Sequence, residues 1–357
     1  MPFILRVILL PIAPFWWLFA VLKRFVYGVE LKRRYQSALT TMVVGNLSLG
    51  GTGKTPFSIY LVQKLISKGF NVAYLSRGYG RNTKGLVKVE NSSGSNKVGD
   101  EALMVKRRFP EVDVVVCENR KEGLAHLEKS SLCSVVVMDD AYQHLGIKAN
   151  HYFLLSTFKK PFYKDFIFPI GNLREPIRYA SIANTIVITK SPNNVNHIEK
   201  RAIANKIEGS VKKDCFFTSI EYNKDLVGVY KNENFVLNQG VLAIVVTGIA
   251  AASAFINKIS EVLKVETFIE FADHHSFSKK DLDKINNTYT SALKHANVNK
   301  YELIILTTEK DAARLQTLEA KKAIGHLPLF YWPINLAVTA RLDHEIDKII
   351  ELKCYNR

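Results

Sequence analysis

The feature that most constrains this chain is the segment GNLSLGGTGKT at residues 45–55, which follows a short apolar run. Glycine has no Cβ, so a glycine-rich backbone can curl and point its N–H groups at an anion. In a P-loop, a lysine then reaches the β- and γ-phosphates and the next hydroxyl binds Mg²⁺. Lys54 and Thr55 stand in those positions, and Pro56 suits the first helical turn. The segment therefore predicts a strand, a phosphate-binding loop and a helix, although Ser48 replaces the usual first glycine.

We accordingly predict that this loop binds a nucleotide together with Mg²⁺, with the hydroxyl of Thr55 as a metal ligand. A glycine-rich turn without a ligand is the alternative. The predicted nucleotide-binding residues are Leu47, Ser48, Leu49, Gly50, Gly51, Thr52, Gly53, Lys54 and Thr55.

A second metal signal lies where the apolar run 132–138 ends in Asp139 and Asp140. A buried strand that delivers a carboxylate to Mg²⁺ opposite the P-loop hydroxyl is the Walker-B arrangement. We predict both carboxylates as metal ligands and leave open which is the primary one. A simple acidic turn is the alternative interpretation.

The pattern of apolar runs predicts the fold class. Runs that read as strands alternate with segments of helical periodicity, at 42–44, 72–75, 112–117, 132–138, 153–155 and 185–189. This alternation is typical of a mostly parallel, doubly wound α/β sheet. We predict a P-loop NTPase-type core at 29–222, a two-stranded connection that acts as a hinge at 223–240, and a smaller α/β domain at 241–357.

Residues 3–22 are almost continuously apolar and contain Pro11, Pro14, Trp16 and Trp17. The charge-free part has about 16 residues, or roughly 24 Å as a helix, which is shorter than the ~30 Å core of a bilayer. We predict that residues 1–28 form a helix that dips into a membrane; a full span, a buried core helix and a signal sequence are the alternatives. The basic residues that follow are predicted to face anionic headgroups and to keep the remaining chain in the cytoplasm: Lys23, Arg24, Lys32, Arg33 and Arg34.

Composition narrows the possible partners. The 357 residues are 47% hydrophobic and 23% charged, as in a globular protein, and the net charge is +16. Such a charge favours an anionic partner: nucleic acid, an acidic membrane or a phosphorylated substrate. The aromatic residues are not interleaved with Lys and Arg as in a base-stacking surface, so we predict no nucleic-acid binding. The four cysteines are scattered and indicate neither a disulfide framework nor a zinc site.

Two further loops carry candidate site residues. Arg77 and Arg81, in SRGYGR at 76–81, follow a predicted strand, and ligands of open α/β sheets bind at that edge. We predict that both bind a phosphate or a sugar phosphate, with a solvated basic turn as the alternative. Asp100, in VGDE at 98–101, stands near a helix start, where it could cap the helix or take part in chemistry.

These motifs and three others, taken together, resemble those of the tetraacyldisaccharide 4′-kinases. The matching segments span most of the chain in order: GNLSLGGTGKTP at 45–56, SRGYGR at 76–81, VGDE at 98–101, DDAYQH at 139–144, LREP at 173–176, DH at 273–274 and TEKD at 308–311. The departures are Ala102, where proline is common, and Ala141 and Tyr142, where Gly-Leu or Gly-Phe is usual.

The resemblance implies a kinase that moves the γ-phosphate of ATP, with Mg²⁺, to the 4′-hydroxyl of a tetraacylated glucosamine disaccharide 1-phosphate. This anionic glycolipid is a lipid A precursor of Gram-negative bacteria, and the product is lipid IVA. It also implies an enzyme at a membrane surface, on the cytoplasmic face of the bacterial inner membrane. We expect a monomer.

The resemblance further implies roles for individual residues. Asp100 is the base for the sugar hydroxyl and His274 pairs with it, while Lys54, Asp139 and Asp140 complete the catalytic set. Other residues are implied to lie around the ligands: Gln143, His144 and Glu175 at the nucleotide, and Arg77, Arg81, Asn172 and Arg174 at the substrate. Which of the two ligands Arg174 and Glu175 contact stays open. His275 has either an indirect role or a capping or surface role.

A P-loop NTPase that acts as a switch, for example in membrane targeting or metal delivery, is the alternative function. It shares the P-loop, the Walker-B strand and the basic charge. The sequence Thr189-Lys190-Ser191-Pro192 lacks the aspartate of a guanine-reading N-K-x-D motif. Lipid-dependent phosphate transfer, as opposed to hydrolysis by water, distinguishes the two functions.

Overall fold

The computed structural model of this chain describes residues 9–28, 33–231, 233–238, 240–250 and 252–355, which form two β-sheets flanked by helices. The first unit consists, in chain order, of α1 Ala13–Gly28, β1 Thr40–Asn46, α2 Lys54–Ser67, β2 Val72–Ser76, β3 Val87–Lys88, α3 Ser95–Val98, α4 Asp100–Arg108, β4 Asp113–Val116, α5 Arg120–Ser130, β5 Val135–Asp139, β6 His151–Thr157, β7 Thr185–Thr189, α6 His197–Val211 and β8 Cys215–Tyr222. The second consists of β9 Asp225–Gly228, β10 Asn234–Val236, β11 Val241–Thr247, α7 Ala252–Ser260, β12 Lys264–Glu270, α8 Lys279–Val298, β13 Glu302–Thr308, α9 Glu309–Leu315, α10 Leu318–Ile324 and β14 Leu329–Trp332. The chain continues with β15 Ile334–Val338 and α11 Ala340–Ile350.

Nine strands form the first sheet, in the order β15-β8-β7-β6-β1-β5-β2-β4-β3. The strands from β8 to β4 run parallel, while β15 and β3 pair antiparallel at the edges. β1 and β5 are buried along their whole length, which is why they read as continuous apolar runs. β1 lies between β6 and β5, so the strand order reverses there, and ligands bind at such reversals. The predicted doubly wound α/β fold is confirmed.

Six strands form the second sheet, in the order β10-β9-β14-β13-β11-β12. The four strands from β14 to β12 run parallel, and β9 and β10 complete the sheet as an antiparallel edge. Ser278 caps α8 in a capping box with Asp281. This is the smaller second α/β unit of the predicted fold class.

The connection between the sheets differs from the predicted one at 223–240. The chain passes from β8 to β9 and returns from β14 to β15, so the second arm of the connection comes from 332–334. β10, which lies within the predicted connection at 223–240, is an edge strand of the second sheet. β15 pairs with β8, so the segment after β14 belongs to the first sheet and not to a unit at 241–357. The pairing partners are far apart in sequence, and local periodicity does not report such pairing.

Helix α11 secures this return of the chain. Its buried residues Leu342, Ile346, Ile349 and Ile350 share one core with α2 of the first unit, and each such side chain contributes about 2 kcal/mol by burial. At the rim, Lys64 Nζ lies 2.9 Å from Asp343 and 3.1 Å from Asp347. The C-terminal helix therefore supports the helix that follows the glycine-rich loop.

Helix α1 lies against the first unit by one face. Ala13, Ala20 and Arg24 are buried in that face, whereas the other sides of the helix and the turn before it expose Leu10, Ile12, Phe15, Trp16, Trp17, Leu18, Phe19, Leu22 and Phe25. The segment Leu10–Tyr27 is long and apolar enough to cross a membrane, but a core helix or a signal sequence can have the same length and composition. Arg24 points inward, contrary to the prediction that it faces headgroups; Lys23, Arg33 and Arg34 are exposed, and Lys32 lies outside the described residues.

Below pH 6.5, a buried histidine should make the stability of the fold depend on pH. His151 donates to or accepts from Thr185 at 3.0 Å, and burial, with a smaller effect of Lys353, lowers the pKa of His151 from 6.5 to about 4. The unfolded chain takes up this proton as the pH falls through 6.5, whereas the folded chain resists it until about 4. We expect the free energy of unfolding to fall over this range by on the order of 3 kcal/mol more in wild type than in His151→Gln. Urea unfolding at several pH values tests this; His197→Gln, at an exposed histidine, should keep the wild-type slope, and an equal slope in His151→Gln would refute the prediction.

Candidate active site

The glycine-rich loop leaves β1 and enters α2 with the backbone that a phosphate site requires. Gly50 and Gly53 have φ values of 100° and 80°, a region that glycine adopts without strain. A Cβ at Gly50 would meet no atom within 4 Å, so the loop faces open space there. Within the described ranges, no group accepts a hydrogen bond from the amides of Gly51 and Gly53, and the first amides of α2 lack intrahelical acceptors. These donors are available for phosphate oxygens.

Neighbouring segments hold this loop from behind. The Leu49 amide donates to the Asn172 carbonyl at 2.7 Å, and the Leu47 carbonyl accepts from the Arg174 amide at 2.7 Å. Ser48 forms a β-bridge with Leu173 between these two bonds. On the other side, Lys190 Nζ donates to the Gly51 carbonyl and Thr189 Oγ1 to the Thr52 carbonyl, both at 2.7 Å, while Asn46 donates to Thr52 Oγ1 at 2.8 Å. The shape of the loop therefore depends on residues that are distant in sequence.

Lys54 and Thr55 begin α2 and face two carboxylates at the end of β5. Thr55 Oγ1 donates to Asp139 Oδ2 at 3.3 Å, and Lys54 Nζ lies 3.6 Å from Asp140 Oδ1. Asp139 is buried, and this burial together with the charge of Glu101 raises the pKa of Asp139 to about 6. Lys54 and Arg174 instead outweigh burial at Asp140 and hold the pKa of that carboxyl below its ordinary value.

The donor set at this corner fits Mg²⁺. Hydroxyl and carboxylate oxygens are the hard ligands that Mg²⁺ prefers, with one or two carboxylates from the protein and further oxygens from substrate phosphates. A buried carboxylate whose pKa is raised, such as Asp139, is stabilised in its ionised form by a cation beside it. Thr55, Asp139 and Asp140 are the residues that could hold the metal.

Gln143, His144 and Arg174 lie around the same corner. Arg174 Nη1 is 3.2 Å from Asp140 Oδ1 and 3.4 Å from Gln143 Oε1, and Gln143 Nε2 donates to the Asn46 carbonyl at 2.8 Å. Burial, and then the charges of nearby cations, lowers the pKa of His144 to about 4, so this ring is neutral at physiological pH. The structure thus brings these predicted residues together beside the carboxylates.

Asn172 and Glu175 are oriented by protein groups. Asn172 Nδ2 donates to Asp165 Oδ2 at 3.3 Å. Glu175 is buried and its carboxylate pairs with Arg24 of α1, with Nη2 and Oε2 2.6 Å apart. Neither contact was expected from the sequence.

The two arginines of SRGYGR differ in their surroundings. Arg77 is exposed, and its charge contributes to the lowered pKa of His144. The Arg81 side chain is 2% exposed and lies 2.6 Å from Glu118 Oε1, so the solvated-turn alternative is wrong for Arg81. Its Nε and Nη1 atoms are buried with no hydrogen-bond partner among the described residues.

A second cluster forms where Asp100 meets the second unit. Gly99, with φ of 83°, is the N-cap of α4, so Asp100 does not occupy the capping position. His274 Nδ1 lies 3.1 Å from Asp100 Oδ2, and Arg314 Nε donates to the same oxygen at 2.9 Å. Lys310 Nζ is 3.8 Å away. Burial favours a raised pKa for Asp100, but the contact with His274 and the charges of Arg314 and Lys310 outweigh it, so the pKa lies well below the ordinary range.

Lys310 determines which ring nitrogen of His274 carries the proton. Its Nζ lies 3.1 Å from His274 Nε2. An ammonium group can only donate, so a hydrogen bond at this contact uses the lone pair of Nε2 and leaves the ring proton on Nδ1. Nδ1 lies 3.1 Å from Asp100 Oδ2, but its alignment does not meet the geometry of a hydrogen bond. Lys310 also lies 3.6 Å from Glu101 Oε1, and the Glu101 charge acts on Asp139. The Asp100 cluster and the carboxylates at the end of β5 therefore interact electrostatically through Glu101.

A comparison with protein families identifies the family of this chain. The family model described as Tetraacyldisaccharide-1-P 4′-kinase matches residues 5–351. The chain belongs to this family.

Individual relatives agree with the family model. The tetraacyldisaccharide 4′-kinase of Flavobacterium johnsoniae is 35% identical over 329 residues, covering 91% of this chain and 92% of the relative. The enzyme of the same name from Parabacteroides distasonis is 30% identical over 350 residues, covering 95% and 93%. The crystal structure of LpxK from Aquifex aeolicus in complex with ATP matches with a TM-score of 0.74 and 26% identity, covering 97% of this chain and 99% of that one.

The activity follows from membership of the tetraacyldisaccharide 4′-kinase family. This kinase phosphorylates the 4′ position of the lipid A precursor, and it is an ATP-binding transferase. Its substrate is therefore the anionic glycolipid expected from the motifs. The switch-type NTPase is not favoured.

Sequence reasoning missed several side chains of this kinase that contact the predicted site. Arg314 contacts Asp100, Tyr74 donates to Asp139 Oδ2 at 2.7 Å, and the fully buried Arg120 donates to the Asp139 carbonyl at 3.2 Å. One signal was available: Arg314 lies three residues after Asp311 of TEKD, on the same helix face. Arg314 therefore lies on the same side of α9 as Asp311, so its side chain can contact the groups that TEKD faces.

Proposed function

We propose that Asp100 orients the sugar 4′-hydroxyl and accepts its proton during phosphoryl transfer. The observation that carries this proposal is that His274, Lys310 and Arg314 of the second unit all converge on the Asp100 carboxylate. In the reaction the O–H bond breaks as the new O–P bond forms, and ADP leaves with the electron pair of the broken P–O bond. The proton goes to Asp100.

A carboxylate with a lowered pKa is a weak base, and this suits the reaction. Phosphoryl transfer passes through a loose transition state in which the attacking oxygen is weakly bonded, so positioning matters more than basicity. Asp100 stays ionised at neutral pH and can hold the hydroxyl in line. His274, which carries its proton on Nδ1, would stabilise the carboxylate, and Lys310 would maintain that tautomer.

The nucleotide would lie along the glycine-rich loop, with Lys54 and the free amides on phosphate oxygens. Thr55, Asp139 and Asp140 would hold Mg²⁺, which neutralises charge on the phosphates. Gln143, His144 and Arg174 would lie around the same phosphates; together with Thr55, Asp139 and Asp140, these residues form what we call the phosphate corner. Arg77, Arg81 and Asn172 remain candidates for the substrate. These roles are proposals that substitution can test.

The two units would close on the substrate about the connection at 222–225 and 332–334. This proposal is supported by contacts that join the units outside the connection. Besides the Asp100 cluster, Arg107 donates to the Ala313 carbonyl at 3.0 Å, and Arg108 lies 3.3 Å from Glu309. Closure of such a cleft excludes water before transfer.

We also propose that α1 holds the kinase at the cytoplasmic face of the inner membrane without spanning it. The exposed apolar side chains of α1 form a contiguous patch, whereas apolar residues scattered singly over a surface need no explanation. The exposed basic residues beside this patch suit anionic headgroups. The family's substrate is an acylated disaccharide that stays in the bilayer, so an interfacial position brings enzyme and substrate together.

Phe15, Phe19 and Phe25, which are 74%, 63% and 57% exposed, provide the membrane test. Replacing all three with asparagine should abolish sedimentation with vesicles that contain phosphatidylglycerol, because about 0.8 kcal/mol is lost per CH₂ group withdrawn from the bilayer. The control replaces Leu132, Ile198 and Leu318, which are exposed elsewhere, and should sediment like wild type. Undiminished sedimentation of the phenylalanine variant would refute an anchor on α1.

A transfer assay tests the proposed function directly. The full chain in detergent receives γ-labelled ATP, Mg²⁺ and the tetraacylated disaccharide 1-phosphate, and label in the lipid fraction is measured. We expect label in the lipid, and at least about a hundredfold less when Lys54 is replaced by methionine. Label released only as free phosphate would contradict the proposal and restore the switch interpretation.

A further inference from the structure

Helix α1 places a charged side chain deep in the kinase core. Arg24 is 8% exposed and Glu175 is 4% exposed. Arg24 Nε lies 3.0 Å from Glu175 Oε1, and Nη2 lies 2.6 Å from Oε2. This is the parallel two-bond geometry of a strong arginine–carboxylate pair. The rings of Tyr142 and Tyr179 lie 5.5 Å and 4.7 Å from the guanidinium carbon, so the pair is shielded from water.

Glu175 is not an isolated partner, because its neighbours form the phosphate corner. Gln143 Nε2 lies 3.5 Å from Glu175 Oε2 and donates to the Asn46 carbonyl at the end of β1. Arg174 precedes Glu175 in the chain and donates to Asp140. A displacement of Glu175 would therefore reach groups that face Asp140 and the glycine-rich loop.

Two other side chains of α1 bind the same two segments. Trp16 Nε1 donates to the Arg174 carbonyl at 3.1 Å, and Lys23 Nζ donates to the Gln143 carbonyl at 3.4 Å. Together with Arg24, they hold residues 143, 174 and 175 from one side. Membrane binding alone does not require a buried ion pair between the anchor helix and the core. Breaking a buried pair is costly, because the remaining partner is left as an uncompensated charge.

We propose that α1 is a structural part of the ATP site and that Arg24 is a positioning residue, which sets the affinity for ATP through Glu175, Gln143 and Arg174. The inference rests on the proposed nucleotide site but not on the identity of the phosphate acceptor. When α1 is displaced from the core, the sequence and backbone of the glycine-rich loop are unchanged, but the residues of the phosphate corner beside it lose their support. Docking of α1 therefore couples to ATP binding.

The test measures ATP binding by the full chain in detergent with Mg²⁺ and without lipid. Arg24→Gln should raise the Kd for ATP about tenfold, within the range usual for coupled sites, and raise KM for ATP without changing KM for the glycolipid. Glu175→Gln should act in the same way, and the double variant should be no weaker than either single variant, since both remove one interaction. Arg24→Lys keeps the charge and should restore part of the affinity.

The controls separate positioning from folding and from membrane contact. Phe15→Asn changes the outer face of α1 and should leave the Kd for ATP unchanged. Should Arg24→Gln fail to fold, Trp16→Phe removes the hydrogen bond to the Arg174 carbonyl, keeps an aromatic ring beside Phe168, and should still raise this Kd measurably. A Kd within twofold of wild type in a folded Arg24→Gln variant, or in Trp16→Phe where Arg24→Gln does not fold, would overturn the inference. Because this Kd does not depend on an acceptor, failure of lipid phosphorylation would be a separate result.

Discussion

Replacing Asp100 with asparagine is expected to lower kcat for lipid phosphorylation by about two to four orders of magnitude, the usual contribution of a general base. Asparagine keeps the shape of the side chain and loses the charge that holds the hydroxyl. The Kd for ATP should change little, because the P-loop contacts do not involve Asp100. The measurement is the transfer assay with saturating ATP, beside a thermal unfolding curve that shows the variant is folded.

Asp100 also forms an ion pair between the two units, so the loss of kcat needs a control that breaks the pair and keeps the carboxylate. Arg314→Gln keeps the carboxylate of Asp100 and removes its ion pair with Arg314, together with the bonds of Arg314 to Asp311 and to the Gly248 carbonyl. We expect a smaller loss of kcat and an acid limb of the pH–rate profile that moves to higher pH, because removing a cation raises the pKa of Asp100. Equal losses in the two variants, with no shift of the limb, would show that Asp100 acts only as an ion-pair partner.

The parts of the site that are local in sequence could be predicted from the sequence. The glycines, Lys54 and Thr55 follow one predicted strand directly, and Asp139 and Asp140 end another. The two apolar runs therefore predict that these residues lie together at one edge of the sheet. Parallel strands meet at their carboxyl ends, which brings Thr55 Oγ1 to 3.3 Å from Asp139. The pairing of Asp100 with His274 came instead from the family resemblance, since no spacing rule relates residues in separate sheets.

Contacts that depend on pairing between distant segments could not be predicted. β15 belongs to the first sheet because it pairs with the edge strand β8. The sequence of 334–338 alone does not distinguish a strand of the first sheet from a strand of the second sheet. Arg24 reads as one of several basic residues after an apolar run, and only its burial against Glu175 assigns it to the core. In both cases the sequence shows the propensity of a segment and the tertiary structure selects its partner.

Lys54→Met is expected to lower kcat/KM for ATP by at least about a hundredfold, because the variant loses the cation that meets developing charge on the transferred phosphoryl group. Methionine preserves the length of the side chain and its packing at the start of α2. Asp140 would lose a partner at 3.6 Å but would keep Arg174 at 3.2 Å, so the corner should remain folded. Steady-state kinetics with labelled ATP and the glycolipid measure the effect.

Lys190→Met is the matched comparison, since it removes one positive charge that also contacts the glycine-rich loop. Lys190 Nζ donates to the Gly51 carbonyl at 2.7 Å and supports the loop from outside, whereas Lys54 Nζ lies beside the carboxylates. If the cation acts on the phosphoryl group, Lys190→Met should retain most of kcat and Lys54→Met should not. If the two variants lose the same factor, the effect is one of net charge or loop shape, and Lys54 has no special place in the transfer step. The distances favour the first result, because Lys54 Nζ lies 3.6 Å from Asp140, whereas Lys190 Nζ binds the Gly51 carbonyl.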